Sequence, residues 1–315
     1  MKDKSEQENG DSLKRRLLNS SAIGSLNQEL NIYNKFEKLG WSVSHSPYYS
    51  DSNTGKFREV DVSARKYWKI DNEDFSFGLN FIIECKSINN YQIVVCNEQK
   101  PEKGSYIENN WIGDDWSNHY SKTIKLLEKH NIKPQDIQET VKLFHKHLFP
   151  DGLIRYIDYR LESFEIPVYC SFRETNIGTT KEMENSVVWK AFQSLFSYIN
   201  SHKVHAWKDI DFDLYDIDNE ELISTYEARL EALKEALILH SNHFELIHPV
   251  LVVESKLWEL KENNLEELKY CRLLFQDISG FDTWIDIVNY NSLDEYLTNS
   301  KKYDEFYTEK GFKND

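Results

Sequence analysis

Cysteine and long apolar runs are scarce in this 315-residue chain, and each shortage removes a class of protein. No apolar stretch approaches the roughly 20 residues that a bilayer-spanning helix needs, and the N-terminus carries "KRRLL" with no apolar signal core behind it. A cytoplasmic protein with no membrane partner is expected. The four cysteines, Cys85, Cys96, Cys170 and Cys271, stand far apart without a CxxC pair, which argues against a zinc ribbon and against a disulfide framework. They read as reduced, mostly buried thiols. A glycine-rich phosphate loop and a GxSxG nucleophile elbow are also missing, so ATP use and acyl transfer have no support. Histidines come in close pairs at 145 and 147, 202 and 205, and 240 and 243, but no cysteine or carboxylate grouping completes a zinc site around any of them.

What is present is a globular composition, 40% hydrophobic and 14% aromatic, enough for one large core or two moderate ones. The formal charge of −15 would repel a polyanion if it were evenly spread, but it is not. Residues 209–232 hold nine acids against the single Arg229, a local charge of −8. Residues 56–69 hold Lys56, Arg58, Arg65, Lys66 and Lys69 against Glu59 and Asp61, a local charge of +3.

Residues 1–23 are polar and aperiodic and read as a flexible tail, as do 301–315. "NQELNIYNKFEKLGW" places Leu30, Tyr33 and Phe36 at helical spacing and closes on Gly40, a C-cap candidate. Strands are expected at "WSVSHSPYY", "FREVDVSARKYW" and "LNFIIECKS", forming a meander, with "YQIVVCNE" extended after them. Residues 98–163 turn polar and read as a helical insertion. Further strands are expected at "IPVYCSF", "HPVLVV" and "WIDIVNY", and a helix at 184–201 with Val188, Phe192, Leu195, Phe196 and Ile199 on one face. The fold class is therefore α/β, a central mixed sheet flanked by helices, with one domain over 24–300.

The chemistry concentrates in "FIIECKS". An unpaired charge in a buried strand costs several kcal/mol, so Glu84 and Lys86 need a partner or a task. Alternate strand residues share a face, which puts Glu84 and Lys86 on one side about 6.6 Å apart and turns Ile83 and Cys85 away. In the preceding strand Val60 and Val62 flank Asp61, a second carboxylate across a hairpin from Glu84. Two carboxylates and a lysine suit phosphodiester hydrolysis: Mg²⁺ takes hard oxygen ligands and keeps several waters, and a lysine can orient a water or stabilise charge developing on the phosphorus.

In "EVDVSARK" and "IIECKS" the chain resembles the PD-(D/E)XK, or restriction-endonuclease-like, nucleases, especially their Mrr-like branch. The resemblance is specific over about residues 26–97 and topological beyond. It implies a restriction-endonuclease-like core with the roughly 60-residue helical insertion as a departure. It also implies Asp61, Glu84 and Lys86 as catalytic residues, with Mg²⁺ (or Mn²⁺) held by Asp61 and Glu84. The family's opening helix often adds a carboxylate, for which Glu29 is the match. The activity implied is metal-dependent cleavage of DNA, in restriction, phage defence or repair, with a protein partner or a second copy as further possibilities.

Plainer readings stand beside these. Glu84 and Lys86 alone could be an exposed ion pair worth about 0–1 kcal/mol. Glu59 shares a strand face with Asp61 but reads as a solvated neighbour of Arg58 or Lys56. "VVESKLW" repeats the acid-x-Lys spacing at Glu254 and Lys256, yet no acidic strand precedes it, and it reads as a strand leaving the core. "DIDFDLYDIDNE" resembles a calcium loop, but Leu214 occupies the position where the sharp turn requires glycine. Two rival functions remain: a nuclease fold that binds nucleic acid or a protein without cutting, and an interacting protein whose acidic 209–232 segment is the working surface.

Overall fold

Helix and strand signals in this chain resolve into one broad sheet with a helix on each face. The structure, a computed structural model, describes residues 12–70, 76–86, 91–99, 166–176, 186–202, 243–276 and 282–298, with short pieces at 111–112, 124, 127–128, 131–139, 225–228, 230–232 and 312–314. Its strands are β1 (Ser42–His45), β2 (Tyr48–Ser50), β3 (Phe57–Glu59), β4 (Val62–Ile70), β5 (Ser76–Lys86), β6 (Tyr91–Gln99) and β7 (Trp111–Ile112). There follow β8 (Val168–Asn176), β9 (His243–Val253), β10 (Leu257–Lys261), β11 (Asn264–Leu268), β12 (Tyr270–Gln276), β13 (Asp282–Asn289) and β14 (Phe312–Asn314). Twelve of these form a mixed sheet in the order β1-β4-β5-β9-β13-β12-β8-β6-β10-β11, with β14 added to β4 and β7 to β9. β2 and β3 make a separate small hairpin. The protein is thus α/β with a large mixed sheet flanked by helices.

The opening helix, Ser21–Lys38, begins where the Ser20 hydroxyl accepts from the Ile23 amide at 3.3 Å. It ends in paired reverse bonds, Trp41 N–H to the Phe36 carbonyl (3.1 Å) and Gly40 N–H to Glu37 (2.9 Å), with Gly40 at φ +78°. That termination requires a left-handed residue, which glycine adopts without Cβ strain, and Trp41 then packs edge-on against Phe36, ring centroids 5.6 Å apart. The buried stripe is Gln28, Ile32 and Phe36, whereas Leu30, expected inside, is exposed. The expected face is displaced because Ile32 and Phe36, four apart, are the pair that meets Phe81, Trp41 and Val62.

β1, β4 and β5 form the expected antiparallel meander. β5 then runs parallel to β9 along its whole length, and β9 parallel to β13. The run "VLVV" (250–253) is buried on both faces, as a central parallel strand should be. Residues of β5 alternate cleanly: Phe81, Ile83 and Cys85 pack toward the opening helix, and Ile82 packs toward the helix over 187–202. That second helix buries Val188, Ala191, Leu195 and Ile199, close to the expected face, with Phe192 and Phe196 half-buried beside them.

Several elements differ from the sequence reading. "FREVDVSARKYW" is two strands, not one: the chain leaves the β2–β3 hairpin and enters the large sheet between Val60 and Val62. Residues 12–18 are helical and the opening helix starts at Ser21. β14 pairs with Trp68–Ile70 of β4. Residues 257–276 form three strands that no periodicity announced. In β10–β11, Lys261 pairs with Glu266 at 3.0 Å and Lys256 with Glu267 at 2.7 Å, and such charges also blunt the open edge at β11. Most of the 98–163 insertion and of the acidic 209–232 segment lies outside the described residues. Trp111–Ile112 pairs with β9, and 134–139 are helical. Among the described residues no helix is long and apolar enough to cross a membrane.

Cys85 and Cys271 are buried, Cys96 is intermediate and Cys170 exposed. Burial, followed by the nearby charges of Asp61 and Glu29, pushes the Cys85 thiol well above its ordinary value. A maleimide reagent should therefore label Cys170 readily and leave Cys85 untouched until the chain unfolds. Rapid modification of Cys85 in the folded protein would refute this strand register.

Candidate active site

Asp61 stands at the entrance to β4, where the chain turns in from the hairpin. Its carbonyl accepts from Ser46 N–H at 2.9 Å, and Val60 N–H bonds the Pro47 carbonyl at 3.3 Å, so the main chain on both sides is fixed. The β4–β5 register pairs Val62 with Ile83, which sets Asp61 beside Glu84. Asp61 Oδ2 accepts the Cys85 backbone N–H at 2.6 Å. The residue between the acid and the lysine thus contributes its main chain to the site and its side chain to the core.

Glu84 is 5% exposed. Its Oε2 accepts from the Lys86 ammonium at 2.7 Å and its Oε1 from the Ser194 hydroxyl at 2.7 Å. Lys86 Nζ also lies 3.7 Å from Asp61 Oδ2, so one ammonium faces both carboxylates. Burial pushes the Glu84 carboxyl above its ordinary value; the charge of Lys86 opposes this and that of Asp61 reinforces it. Burial works against the Lys86 ammonium, but Glu84 and Asp61 outweigh it and hold its pKa above the ordinary value. The cluster holds two carboxylates against one ammonium in a half-buried setting, an arrangement short of positive charge.

Glu29 does not join them. From the opening helix its Oε2 meets His45 Nε2 at 3.0 Å and its Oε1 accepts from Ser25 at 3.1 Å. Among the described residues, no group of three or more His, Cys, Asp and Glu side chains converges to hold a metal ion. Glu29 is engaged by a histidine on β1, and no such group gathers it with Asp61 and Glu84. His45 itself gave no signal in the sequence beyond its place in a strand.

Further along the face that carries Glu84, a polar stripe underlies the helix over 187–202. Arg65 donates to the Tyr198 hydroxyl at 2.9 Å, faces His202 Nε2 at 3.1 Å, and has its Nε 3.7 Å from Glu245 Oε1. Ser63 donates to Asn80 Oδ1 at 3.0 Å. At the other end of that helix, buried Glu174 caps it by accepting from Val187 and Val188 amides at 2.9 and 3.2 Å. None of these groups, nor Ser194, was visible as a site residue in the sequence, since each acts on a partner 13 or more positions away. Glu254 and Lys256 sit in the turn after β9, as a strand end should.

Compared with protein-family models, with curated proteins and with solved structures, the chain matches none of them.

Proposed function

We propose that the chain is a metal-dependent nuclease that hydrolyses phosphodiester bonds, DNA being its substrate, on a restriction-endonuclease-like core. The observation that carries this reading is the contact set of one ammonium with two carboxylates: Lys86 Nζ at 2.7 Å from Glu84 and 3.7 Å from Asp61. The element order supports it: a helix, three antiparallel strands, a helix on the opposite face and a parallel strand beside β5.

Asp61 and Glu84 are the residues that would hold Mg²⁺. Their hard oxygens and deficit of positive charge fit a cation that keeps most of its coordination as water. Bound there, Mg²⁺ supplies Lewis-acid neutralisation of phosphate charge and a lowered pKa for water. The chain's own groups do the rest. Ser194 and the Cys85 amide fix the two carboxylates, and Lys86 is within reach to orient the attacking water or to donate to a phosphate oxygen as its charge grows.

The rival reading is a nuclease-like subunit that binds without cutting, and the lack of a three-ligand group among the described residues is what favours it. Plasmid and linear DNA incubated with the full chain separates the two. The nuclease should nick or degrade DNA with Mg²⁺ or Mn²⁺ and stop in EDTA. Binding without cleavage under every metal condition would award the site to the rival, and neither binding nor cleavage would discard the nuclease and the DNA-binding form of the rival.

A further inference from the structure

Between β1 and β4 the chain makes an outgrowth that the sheet does not need. β2 and β3 pair Tyr48 with Glu59, Tyr49 with Arg58 and Ser50 with Phe57. Tyr49 is buried, which turns Tyr48 and Phe57 to the opposite face of the ribbon, where they are 73% and 80% exposed. Single exposed apolar side chains are ordinary, but two large rings this bare on one face of a short hairpin contribute nothing to a core.

The hairpin is also held stiff. Asp51 Oδ1 accepts the Asn53 and Thr54 amides at 2.9 and 3.1 Å, Asp51 Oδ2 pairs with Arg58 Nε at 2.5 Å, and Gly55 turns at φ +67°. Ser52 N–H bonds Ser201 Oγ at 3.0 Å, and the Tyr49 hydroxyl donates to the Ser194 carbonyl at 3.1 Å. Ser194 is the residue whose hydroxyl holds Glu84. One residue therefore ties the ribbon to the candidate site, and only three residues of chain, a span of about 13 Å when extended, separate Phe57 from Asp61.

We infer that this hairpin is a stacking platform for the unstacked bases of a nucleic-acid strand, seating it so that its backbone crosses Asp61, Glu84 and Lys86. The inference rests on the nuclease reading for its polyanionic ligand. Base–aromatic stacking needs an exposed, rigid ring and tolerates any sequence. On the hairpin itself Lys56 and Arg58 are balanced by Asp51 and Glu59, while the stretch 56–69 that it opens has a local charge of +3 in a chain of −15. A strand with splayed bases is preferred to an intact duplex, whose bases offer no free face.

The test measures anisotropy of labelled single-stranded DNA, the matching duplex and an RNA of the same sequence with the full chain, in EDTA and separately in Ca²⁺. Tyr48→Ala/Phe57→Ala should weaken single-strand binding about tenfold or more and change duplex binding less. Tyr48→Phe/Phe57→Tyr should stay within about twofold of wild type, and thermal unfolding of all three proteins should coincide because both rings are exposed. Unchanged single-strand affinity in the alanine double variant overturns the platform, and if that variant still cuts DNA the nuclease reading survives alone. Single-strand binding that depends on the rings in a protein that never cuts keeps the platform and removes the cleavage reading. A double variant that loses self-association while binding DNA normally assigns the face to a second copy and overturns the proposal.

Discussion

Replacing Lys86, Asp61 or Glu84 by alanine should lower Mg²⁺-dependent DNA cleavage by about 100-fold or more, the usual cost of removing one preorganised charge-stabilising group. Each loss acts differently. Without Lys86 the carboxylates lose the cation that faces both of them. Without Glu84 the Ser194 hydroxyl and the Lys86 ammonium lose their acceptor. Without Asp61 the Cys85 amide loses its side-chain acceptor, although the strand itself is pinned by its neighbours. The fold should survive. Glu84→Gln is the sharpest form of this prediction, because it keeps shape and removes only charge.

The raised pKa of Glu84 supplies the sign. A carboxyl held above its unfolded value in the native state destabilises the fold when ionised, and this cost disappears as pH falls below the unfolded value, about 4.3. Glu84→Gln should therefore be at least as stable as wild type near neutral pH, with any advantage fading toward pH 4. Cleavage by the wild type should fail on the acid side at a pH above the ordinary carboxylate range. That limb should move to lower pH as Mg²⁺ is raised, since the cation favours the ionised form. Urea unfolding and pH–rate profiles at two metal concentrations check both statements. A cleavage-competent Glu84→Gln, or an acid limb indifferent to Mg²⁺, would remove Glu84 from the site.

How far the sequence reveals this arrangement depends on the range of the interactions involved. Glu84, Cys85 and Lys86 are legible because strand alternation is a local rule, and Cys85 packs into the core while Glu84 and Lys86 pair with each other. The C-cap at Gly40 is legible for the same reason. Leu30 and Ile32 show the limit, since either could head an apolar stripe and only packing against Phe81 decides. β10 to β12 were illegible because "LWELKENNLEELKY" is rich in helix-forming Leu, Glu and Lys, and tertiary pairing overrides that preference. Glu29 matched a family position by sequence order, but His45 captures it across the opening helix and β1. Ser194 lies 110 residues from Glu84 and carries no mark that distinguishes it from other helix serines.

A buried ion pair in the sheet was equally invisible, and it carries a large expected loss of stability. Arg272 on β12 and Asp286 on β13 are register partners, 1% and 0% exposed. Asp286 Oδ1 accepts from Arg272 Nε at 2.6 Å and Oδ2 from Nη2 at 2.9 Å, while His248 Nε2 and the Tyr296 hydroxyl reach the same Oδ2 at 2.7 and 2.9 Å. The guanidinium lies 4.0 Å from the centre of the Trp284 ring. Burial alone would raise the Asp286 carboxyl, but Arg272 and His248 outweigh it and hold it far below the ordinary range. Burial lowers His248, so it stays neutral and donates its Nε2 proton to Asp286. Removing one partner strands the other charge in the core, which costs about 3–5 kcal/mol. Against a total of about 5–15 kcal/mol for a folded domain, Arg272→Ala or Asp286→Ala should leave a protein that unfolds at much lower urea. A double replacement by apolar residues, Arg272→Met/Asp286→Leu, should recover much of the loss, because it removes both charges together. The pH dependence follows from the depressed carboxyl: its contribution is complete above the unfolded value near 3.9 and is lost as pH falls toward the folded one. The gap between wild type and Asp286→Asn should therefore be constant from pH 5 to 7 and narrow below about pH 4. Single variants within about 1 kcal/mol of wild type, with no change in the gap on acidification, would show that the pair does not hold the sheet together.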